Sequence, residues 1–471
     1  MLEDDSRLGQ IPVRFTSKSL SGHGGLVALM RLWGRLGFRN LIEHVLPDGR
    51  TSPNQRSVFE IAQSLIATVL TGGNRFAHVQ RIGHDGVVAA IMGIQKVASA
   101  MTLTRYFGGI RAGQVEHLAE QCDRFCLRFA DVNLEDVLDL DSTVLQRHGF
   151  QQGSRRGYSP KRRGRTTQHP IVAMLTKQKL IAHFWLRAGD SSPLRGAVEF
   201  LDELMTRITG LRIKGVRTDS GFSSAAFLAR LEHHLLKYAC AVSMHRPLQR
   251  FILGMQNWTS TSEGSEIAEA EYHPPHWKTP RRLIVVRKKV TNRRPEGKVL
   301  FEIPGYTFLA VVTNMTEPAE QVWKFYNGRG ECENLLKELK HDFGFDGFCL
   351  QRFAGTEAVL RLIVLVFNLV QVFRITLQRK HYEQLRTLRT RIFIAGAALG
   401  REQNTSVLRL GLSGKASKAF EMLLETVTTV MQLGQVSIGQ PLELCPNPLP
   451  IWRARNDERL RPRILGVLGV K

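Results

Sequence analysis

The pattern in this chain that most clearly suits a chemical role is a carboxylate surrounded by cations. It lies in residues 326–340, which read YNGRGECENLLKELK. On a single helix at 100° per residue, five polar side chains fall within roughly 80° of arc: Tyr326, Arg329, Glu333, Lys337 and Lys340. The opposite side is apolar and suits packing on a core. Taken alone, such a stripe is typical of a solvated helix face, where ion pairs contribute little.

Two more carboxylates lie at the ends of predicted strands. The run VLDLD at 137–141 alternates, so Asp139 and Asp141 share one strand face, and the pattern alone does not choose between them. A second strand, over 211–218, ends at Asp219. Taken singly, an Asp in such a position is more often a turn or cap residue. Together with Glu333, however, these residues could bind two hard divalent cations, which suit in-line phosphoryl displacement.

The charge balance indicates a polyanionic partner. The 471 residues carry a formal net charge of +23, which favours nucleic acid, whereas no basic amphipathic anchor supports a membrane surface. Residues 142–189 contain ten Lys or Arg and no Asp or Glu, as expected of a loop beside phosphates. Arg155, Arg156, Arg162 and Arg163 are its candidate DNA contacts.

Metal sites of other kinds find no support in the sequence. The six Cys show no zinc spacing, and their scatter predicts a reduced, cytosolic protein. His148, His169 and His341 are dispersed along the chain, so we expect them to be bystanders. The start of the chain lacks the pattern of a signal peptide, and the apolar run at 358–373 is too short and too interrupted for a membrane span.

The order of predicted elements indicates an α/β fold. From residue 134 the chain gives a strand, a hairpin, a helix, a strand ending at Asp219, a helix and a further strand. This order resembles the ribonuclease-H-like architecture, in which the first and fourth strands are neighbours, so Asp141 and Asp219 would meet. We predict a ribonuclease-H-like catalytic core over 131–244 and 307–380, interrupted by a β-rich insertion at 245–306.

Helical regions are predicted on both sides of this core. Residues 1–130 carry helical periodicity, and two interpretations stay open: a helix-turn-helix reader of DNA, or a helical bundle that packs on the catalytic core. Residues 381–471 form a C-terminal region with one further helix and a basic tail.

These motifs together resemble a known family. Tyr326, Arg329, Glu333 and Lys340 match the Tyr-x2-Arg-x3-Glu-x6-Lys pattern of DDE transposases from bacterial insertion sequences. DLDST at 139–143 and RTDSGF at 217–222 are similar to the first and second carboxylate motifs of that family. The layout is closest to the insertion-sequence-four-like branch, within it the "thirteen-eighty" group.

The resemblance implies a function and a set of site residues. Asp141, rather than Asp139, would be catalytic and hold two Mg²⁺ ions, or Mn²⁺ in their place, together with Asp219 and Glu333. Tyr326, Arg329, Lys337 and Lys340 would contact double-stranded DNA at the inverted-repeat ends and the target, and Trp258 or Trp277 could stack on a flipped base.

The implied protein is a bacterial, cytoplasmic and nucleoid-associated homodimer that cleaves the paired element ends and joins their 3′-hydroxyls to target DNA. Two alternatives remain: a ribonuclease-H-like DNA nuclease or resolvase, and a non-catalytic transposase-derived DNA-binding protein.

Overall fold

Helices and strands alternate through most of the chain. The computed structural model describes residues 14–49, 52, 55–157, 164–289 and 305–429. In these residues the helices, in chain order from α1 to α14, are Leu26–Arg35, Phe38–Val45, Val58–Leu70, Gly86–Ile91, Ala100–Gly108, Ala112–Leu127, Ala197–Arg207, Ala225–His233, Arg246–Leu253, Ala319–Asn327, Gly330–His341, Phe353–Thr376, Leu385–Leu388 and Gly414–Thr429. Short 3-10 or π turns occupy Phe76–Ile82, Ser220–Phe222 and Arg389–Phe393.

The strands are shorter and most of them join one sheet. From β1 to β15 they are Leu20–Ser21, Asp136–Ser142, Leu145–Gln146, Arg155–Arg156, Thr166–Gln168, Ile171–Leu175, Leu180–Trp185, Ile213–Thr218, Tyr238–Ala241, Thr259–Ser260, Glu266–Tyr272, Arg281–Lys289, Tyr306–Thr313, Ala397–Glu402 and Thr405–Leu410.

A nine-stranded mixed sheet forms the centre of the molecule, in the order β10-β11-β12-β13-β9-β8-β2-β6-β7. Strand β2 is parallel to β8 and antiparallel to β6, with Leu140 opposite Thr218 across the parallel pair. The prediction that the first and fourth strands of the core are neighbours is therefore confirmed. The predicted hairpin is also present, as β6 paired with β7.

Alternate residues of β2, β6 and β7 face two different cores. One face packs on α7 and α8 through residues such as Leu140, Phe200 and Phe227. The other packs on α11 and α12 through residues such as Met174 and Phe184. This burial on both faces explains why β6 is wholly apolar and β7 is apolar apart from His183.

The N-terminal helices share a core with the catalytic part of the chain. Helices α1, α2, α3, α5 and α6 contribute to the same apolar cluster as α11 and α12. They therefore pack as a helical layer on one face of the sheet, as the bundle interpretation expects.

The stretch predicted as a β-rich insertion contributes helix α9 and strands β10 to β12. These strands extend the main sheet, because β12 pairs along its length with β13. Residues 290–304, which the prediction also included, lie outside the described part of the chain. The domain boundaries themselves stay predictions.

Helix α12 is long and apolar enough to cross a membrane, with a mean hydropathy of 2.0, but 89% of its most apolar window is buried within the fold. Two of its buried polar residues have partners on β7, the edge strand of the sheet. The Asn368 amide donates to Ile181 O and accepts from Ile181 N–H, both at 2.9 Å. Arg361 donates to Phe184 O and Glu357. The polar interruptions of this helix thus satisfy backbone groups on an edge that would otherwise be unpaired.

We expect Asn368→Leu to lower the free energy of unfolding by about 2–5 kcal/mol, because it leaves a buried N–H and a buried C=O without partners. Leu369→Met, a volume-conserving change at the next buried position, should cost less than about 1.5 kcal/mol. Denaturant unfolding of both variants measures the difference. Equal losses would contradict the role given to Asn368.

Candidate functional site

Two of the predicted carboxylates lie side by side at the C-terminal ends of parallel strands. Asp141 is the penultimate residue of β2, and Asp219 follows the last residue of β8, so each is one position beyond the paired Leu140 and Thr218. The Asp141 carboxylate accepts a hydrogen bond from its neighbour Ser142 N–H (2.7 Å), and that of Asp219 accepts from Gly221 N–H (3.0 Å). Both side chains are therefore fixed by local backbone donors.

The third carboxylate comes from α11, and here one expectation is wrong. Residues 326–340 do not form one helix: α10 ends at Asn327 and α11 begins at Gly330. At the interruption, the Arg217 guanidinium donates to Phe325 O (2.9 Å), the carbonyl that a continuous helix would pair with Arg329 N–H, and Arg329 N–H donates to Tyr326 O instead (3.0 Å). Residue 328 must be small, because a Cβ there would lie 2.5 Å from Nη1 of Arg217. Tyr326 therefore belongs to α10, whereas Glu333, Lys337 and Lys340 belong to α11.

Arg329, at the break between the helices, joins the carboxylates electrostatically. Its Nη2 lies 3.1 Å from Oδ1 of Asp141, and its Nη1 lies 2.9 Å from Oε1 of Glu333. The arginine is 8% exposed, whereas the Glu333 side chain is 51% exposed. A buried guanidinium thus connects the strand carboxylate to the helix carboxylate, whose position remains open to solvent.

The pKa values of the site residues are shifted by burial and by the charges of their neighbours. Burial raises the pKa of Asp141 to about 6; Arg329 and the Ser142 N–H oppose this rise, while Asp219 and Glu333 add to it. Burial likewise raises the pKa of Asp219. The pKa of Arg329 is raised above its ordinary value because Asp141 and Asp219 outweigh the effect of burial. These mutual effects show that the three carboxylates act on one another.

Asp139, the rival of Asp141, has a different partner. Its carboxylate is fully buried and accepts two hydrogen bonds from Arg217, from Nε at 2.7 Å and Nη2 at 2.6 Å, and a third from the Thr176 hydroxyl. The same guanidinium donates to Phe325 O at 2.9 Å. Asp139 therefore ties β2 to β8 and to α10, while Asp141 faces Arg329 and Glu333.

The donor chemistry of the site fits a hard divalent cation. Three carboxylates from three elements offer oxygen ligands, and a single arginine compensates part of their negative charge. Among the described residues, no three His, Cys, Asp or Glu are already grouped as a metal site. The reason is visible in the contacts, since Arg329 lies between Asp141 and Glu333.

Comparison with known proteins identifies the family. The family described as "Transposase DDE domain group 1" matches residues 5–433. The chain belongs to this transposase family. Among solved structures, it is similar to one described as "Cryo-EM structure of piggyBac transposase synaptic complex with hairpin DNA (SNHP)", at 11% identity and a TM-score of 0.44, over 96% of this chain and 89% of that one. No curated protein matches the chain significantly.

In this DDE transposase family member, the helix residues predicted to contact DNA differ in exposure. Tyr326 is 9% exposed and stacks on Trp323 at 6.1 Å, and burial raises its pKa to about 12. Lys337 is exposed on α11. Lys340 donates to Thr143 Oγ1 (3.1 Å) and Val144 O (3.0 Å), so it holds the end of α11 against the segment after β2.

The predicted basic loop is described only in part. Arg155 is half-buried and Arg156 is exposed, both on β4. Arg162 and Arg163 lie outside the described residues.

The two predicted stacking tryptophans are engaged within the protein. Trp277 is 4% exposed and packs on Tyr272 in the core. Trp258 is half-buried, with the Arg287 guanidinium 4.0 Å above its ring. Both indoles already have partners within the protein, and base stacking by them stays a prediction.

The three histidines expected to be bystanders are brought together by the fold. His148, His169 and His341 all line a cleft of about 920 Å³ that also reaches Asp219 and Lys340. The spacing along the chain gave no sign of this, because the three residues come from separate segments.

Arg217 is the residue of this site that sequence reasoning missed. A signal for it existed: Arg217 precedes Asp219 by two positions, as Asp139 precedes Asp141, and the two strands are parallel. The register that pairs Asp141 with Asp219 must therefore also pair Asp139 with Arg217. A carboxylate opposite an arginine inside a sheet indicates a buried ion pair.

Asp139→Asn and Asp141→Asn form a matched pair, two residues apart, with opposite expected effects on stability. Asp139→Asn leaves the Arg217 guanidinium buried without its counter-ion, so the free energy of unfolding should fall by about 3 kcal/mol or more at pH 7.5. Asp141→Asn removes a charge that burial disfavours, so this variant should be more stable than wild type by roughly 2 kcal/mol at the same pH.

The Asp141 effect has a defined pH window. The folded-state pKa is raised, so protonation of Asp141 stabilises wild type fully below its unfolded pKa near 3.8, and this contribution is lost as pH rises through about 6. The advantage of Asp141→Asn should therefore be absent at pH 4 and complete above pH 6. Thermal unfolding in EDTA measures it. A loss of stability in Asp141→Asn at pH 7.5 would contradict this account.

Proposed function

We propose that this chain is a DNA transposase of the Tyr-Arg-Glu-Lys branch of bacterial insertion sequences. It hydrolyses the phosphodiester bond at the element ends and joins the freed 3′-hydroxyls to target DNA. The observation that carries the proposal is the meeting of Asp141 and Glu333 on one buried arginine, with Asp219 adjacent to Asp141 across the parallel strands. Membership of the DDE transposase family supports the reaction class.

Asp141, Asp219 and Glu333 would hold two Mg²⁺ ions, or Mn²⁺ in their place. When bound, these ions supply charge stabilisation to the phosphoryl group and lower the pKa of water. The chain's own contribution is positioning. Backbone N–H groups orient Asp141 and Asp219, and the exposed Glu333 gives access from solvent.

Arg329 has two roles in this proposal. In the DNA-free protein it compensates the carboxylates, which otherwise repel one another in a partly buried setting. In the complex with DNA its guanidinium offers a planar, bidentate group for a phosphate. One residue thus holds the site ready in the absence of DNA and contacts the substrate when it arrives.

The partner is double-stranded DNA, both the inverted-repeat ends and the target. The net charge of +23 supports binding to the phosphate backbone, with Lys337 exposed beside the site and Lys340 at its edge. Cutting two ends in concert requires a homodimer that holds both, at the nucleoid in the bacterial cytoplasm.

Glu333→Gln tests the proposal against a matched control on the same helix. Glu331→Gln removes the same charge two residues earlier, at an exposed position on another side of α11. We expect Glu333→Gln to reduce Mg²⁺-dependent cleavage of end-containing DNA at least about a hundredfold while DNA binding persists, because a charge-stabilising group is lost. Glu331→Gln should cleave as wild type does.

The product pattern separates the alternatives. Wild type should give both cut and joined DNA in Mg²⁺ and neither in EDTA. Cut DNA without joined DNA would indicate a nuclease or resolvase, and binding without cleavage would indicate a non-catalytic DNA-binding protein. Full cleavage by Glu333→Gln would exclude Glu333 as a ligand.

A further inference from the structure

The cleft beside Asp219 is bounded by a segment far from the catalytic motifs. Besides Asp219 and Lys340, it is lined by Arg75, from the turn after α3, and by Arg147, just after β3. Arg75 belongs to neither the predicted basic loop nor the helix stripe, and Arg147, at the start of the basic stretch 142–189, is not among that stretch's candidate DNA contacts. Their position at the edge of the carboxylate site raises the question of what anion they face.

Arg147 is a buried guanidinium with one donor group left over. It is 2% exposed, its Nε donates to Gln168 Oε1 (2.8 Å), and its Nη1 donates to Asp346 O (2.7 Å). Its Nη2 is buried and has no hydrogen-bond partner among the described residues. A buried charged donor without a partner is costly, which indicates a ligand for that donor.

Arg75 is exposed, and its side chain makes no ion pair with any residue in the described part of the chain. Its backbone, in contrast, is well fixed. A Cβ on Gly347 would lie 2.1 Å from Asn74 O, and Phe76 packs edge-on against Phe348 at 5.2 Å. The turn is therefore held tightly against the loop that follows α11.

Arg389 adds a second anchor for the same turn. Its guanidinium donates to Leu70 O (2.9 Å) and Val69 O (2.8 Å) at the end of α3, and to Asp342 O at the end of α11. Arg75 is thus positioned relative to the helix that carries Glu333 and Lys340, although more than 250 residues separate them along the chain.

Cations outnumber acids in this cleft. Arg75, Arg147 and Lys340 face it together with His148 and His341, while its carboxylates are Asp219, which belongs to the catalytic set, and Asp346, which lies 3.9 Å from His341 Nδ1. A buried guanidinium, an exposed guanidinium and an ammonium group around one cleft suit a phosphate in a nucleic-acid backbone.

We propose that Arg75 and Arg147, with Lys340, form a backbone-phosphate subsite that holds the DNA strand next to the bond cleaved at Asp219. The inference rests on the proposed function and adds a contact from the N-terminal helical region to it. That region then takes part in holding the substrate at the reacting centre, whatever sequence it reads elsewhere.

Arg75→Ala is the test variant, because an exposed side chain can be removed without loss of packing. Arg81→Ala is its control: it removes one exposed charge from the adjoining turn, at a residue that does not line the cleft. With a random-sequence duplex, Arg75→Ala should weaken binding severalfold and reduce the slope of log K against log salt by about 1, since one phosphate contact is lost. Arg81→Ala should leave the slope unchanged.

A methylphosphonate scan of DNA that carries the sequence flanking the gene locates the contact. One neutralised phosphate near the cleavage point should weaken binding of wild type and of Arg81→Ala, and have no further effect on Arg75→Ala. Equal slopes for all three proteins, or equal loss in both variants, would overturn the subsite while cleavage by wild type leaves the proposed function standing. Failure of wild type to bind either DNA would overturn both.

Discussion

The structure depends on one constraint: the fold must hold several negatively charged carboxylates close together in a partly buried site. Asp141 and Asp219 are held at adjacent strand ends, and Glu333 approaches from a helix. In water such carboxylates would move apart, but here the sheet register prevents it. Arg329 makes the arrangement possible, because its guanidinium reaches both Asp141 and Glu333. It also lies close enough to Asp219 for that carboxylate to help raise the pKa of Arg329. The pKa of Asp141 is still raised, first by burial and then by the neighbouring charges of Asp219 and Glu333, so Arg329 compensates these effects only in part. A site that is strained electrostatically before its ligands arrive is typical of function, because the strain is relieved when cations bind.

Two buried ion pairs keep the helices in place around this site. Arg217 joins Asp139 on β2 to the carbonyl of Phe325 near the end of α10, which sets where that helix stops. Glu338, on the apolar side of α11, accepts hydrogen bonds from Arg374 (2.5 Å), from the Tyr382 hydroxyl (2.6 Å) and from Leu385 N–H (2.7 Å). Because Glu338 is fixed in this way, α11 cannot rotate about its axis, and Glu333 on its other side stays directed toward Arg329. Some acidic residues of this region therefore connect helices and strands through buried ion pairs, whereas others face the candidate site.

The sequence predicted the strands and their neighbours because the relevant signals are local and periodic. Alternation over 137–141, the hairpin after residue 170 and the strand before Asp219 each follow from side-chain pattern, and the sheet confirms them. What could not be predicted depends on contacts between distant segments. At the break between α10 and α11, the Arg217 guanidinium occupies Phe325 O, which a continuous helix would pair with Arg329 N–H. Likewise, the different surroundings of Asp139 and Asp141 could not be predicted from the local pattern, because Asp139 meets Arg217, a partner 78 residues away.

The shared core explains why the N-terminal helices belong to the site rather than to a separate module. Helices α3 and α5 pack against α12, and α12 in turn covers the edge strand β7 through Asn368. Removing the N-terminal layer would expose that apolar surface, so a mutation there acts on the stability of the catalytic helices as well as on DNA contacts. The turn that carries Arg75 sits at the point where this layer meets the loop after α11. A DNA strand in the proposed subsite would therefore contact both regions at once, because the packing that supports the carboxylates also fixes the turn that carries Arg75.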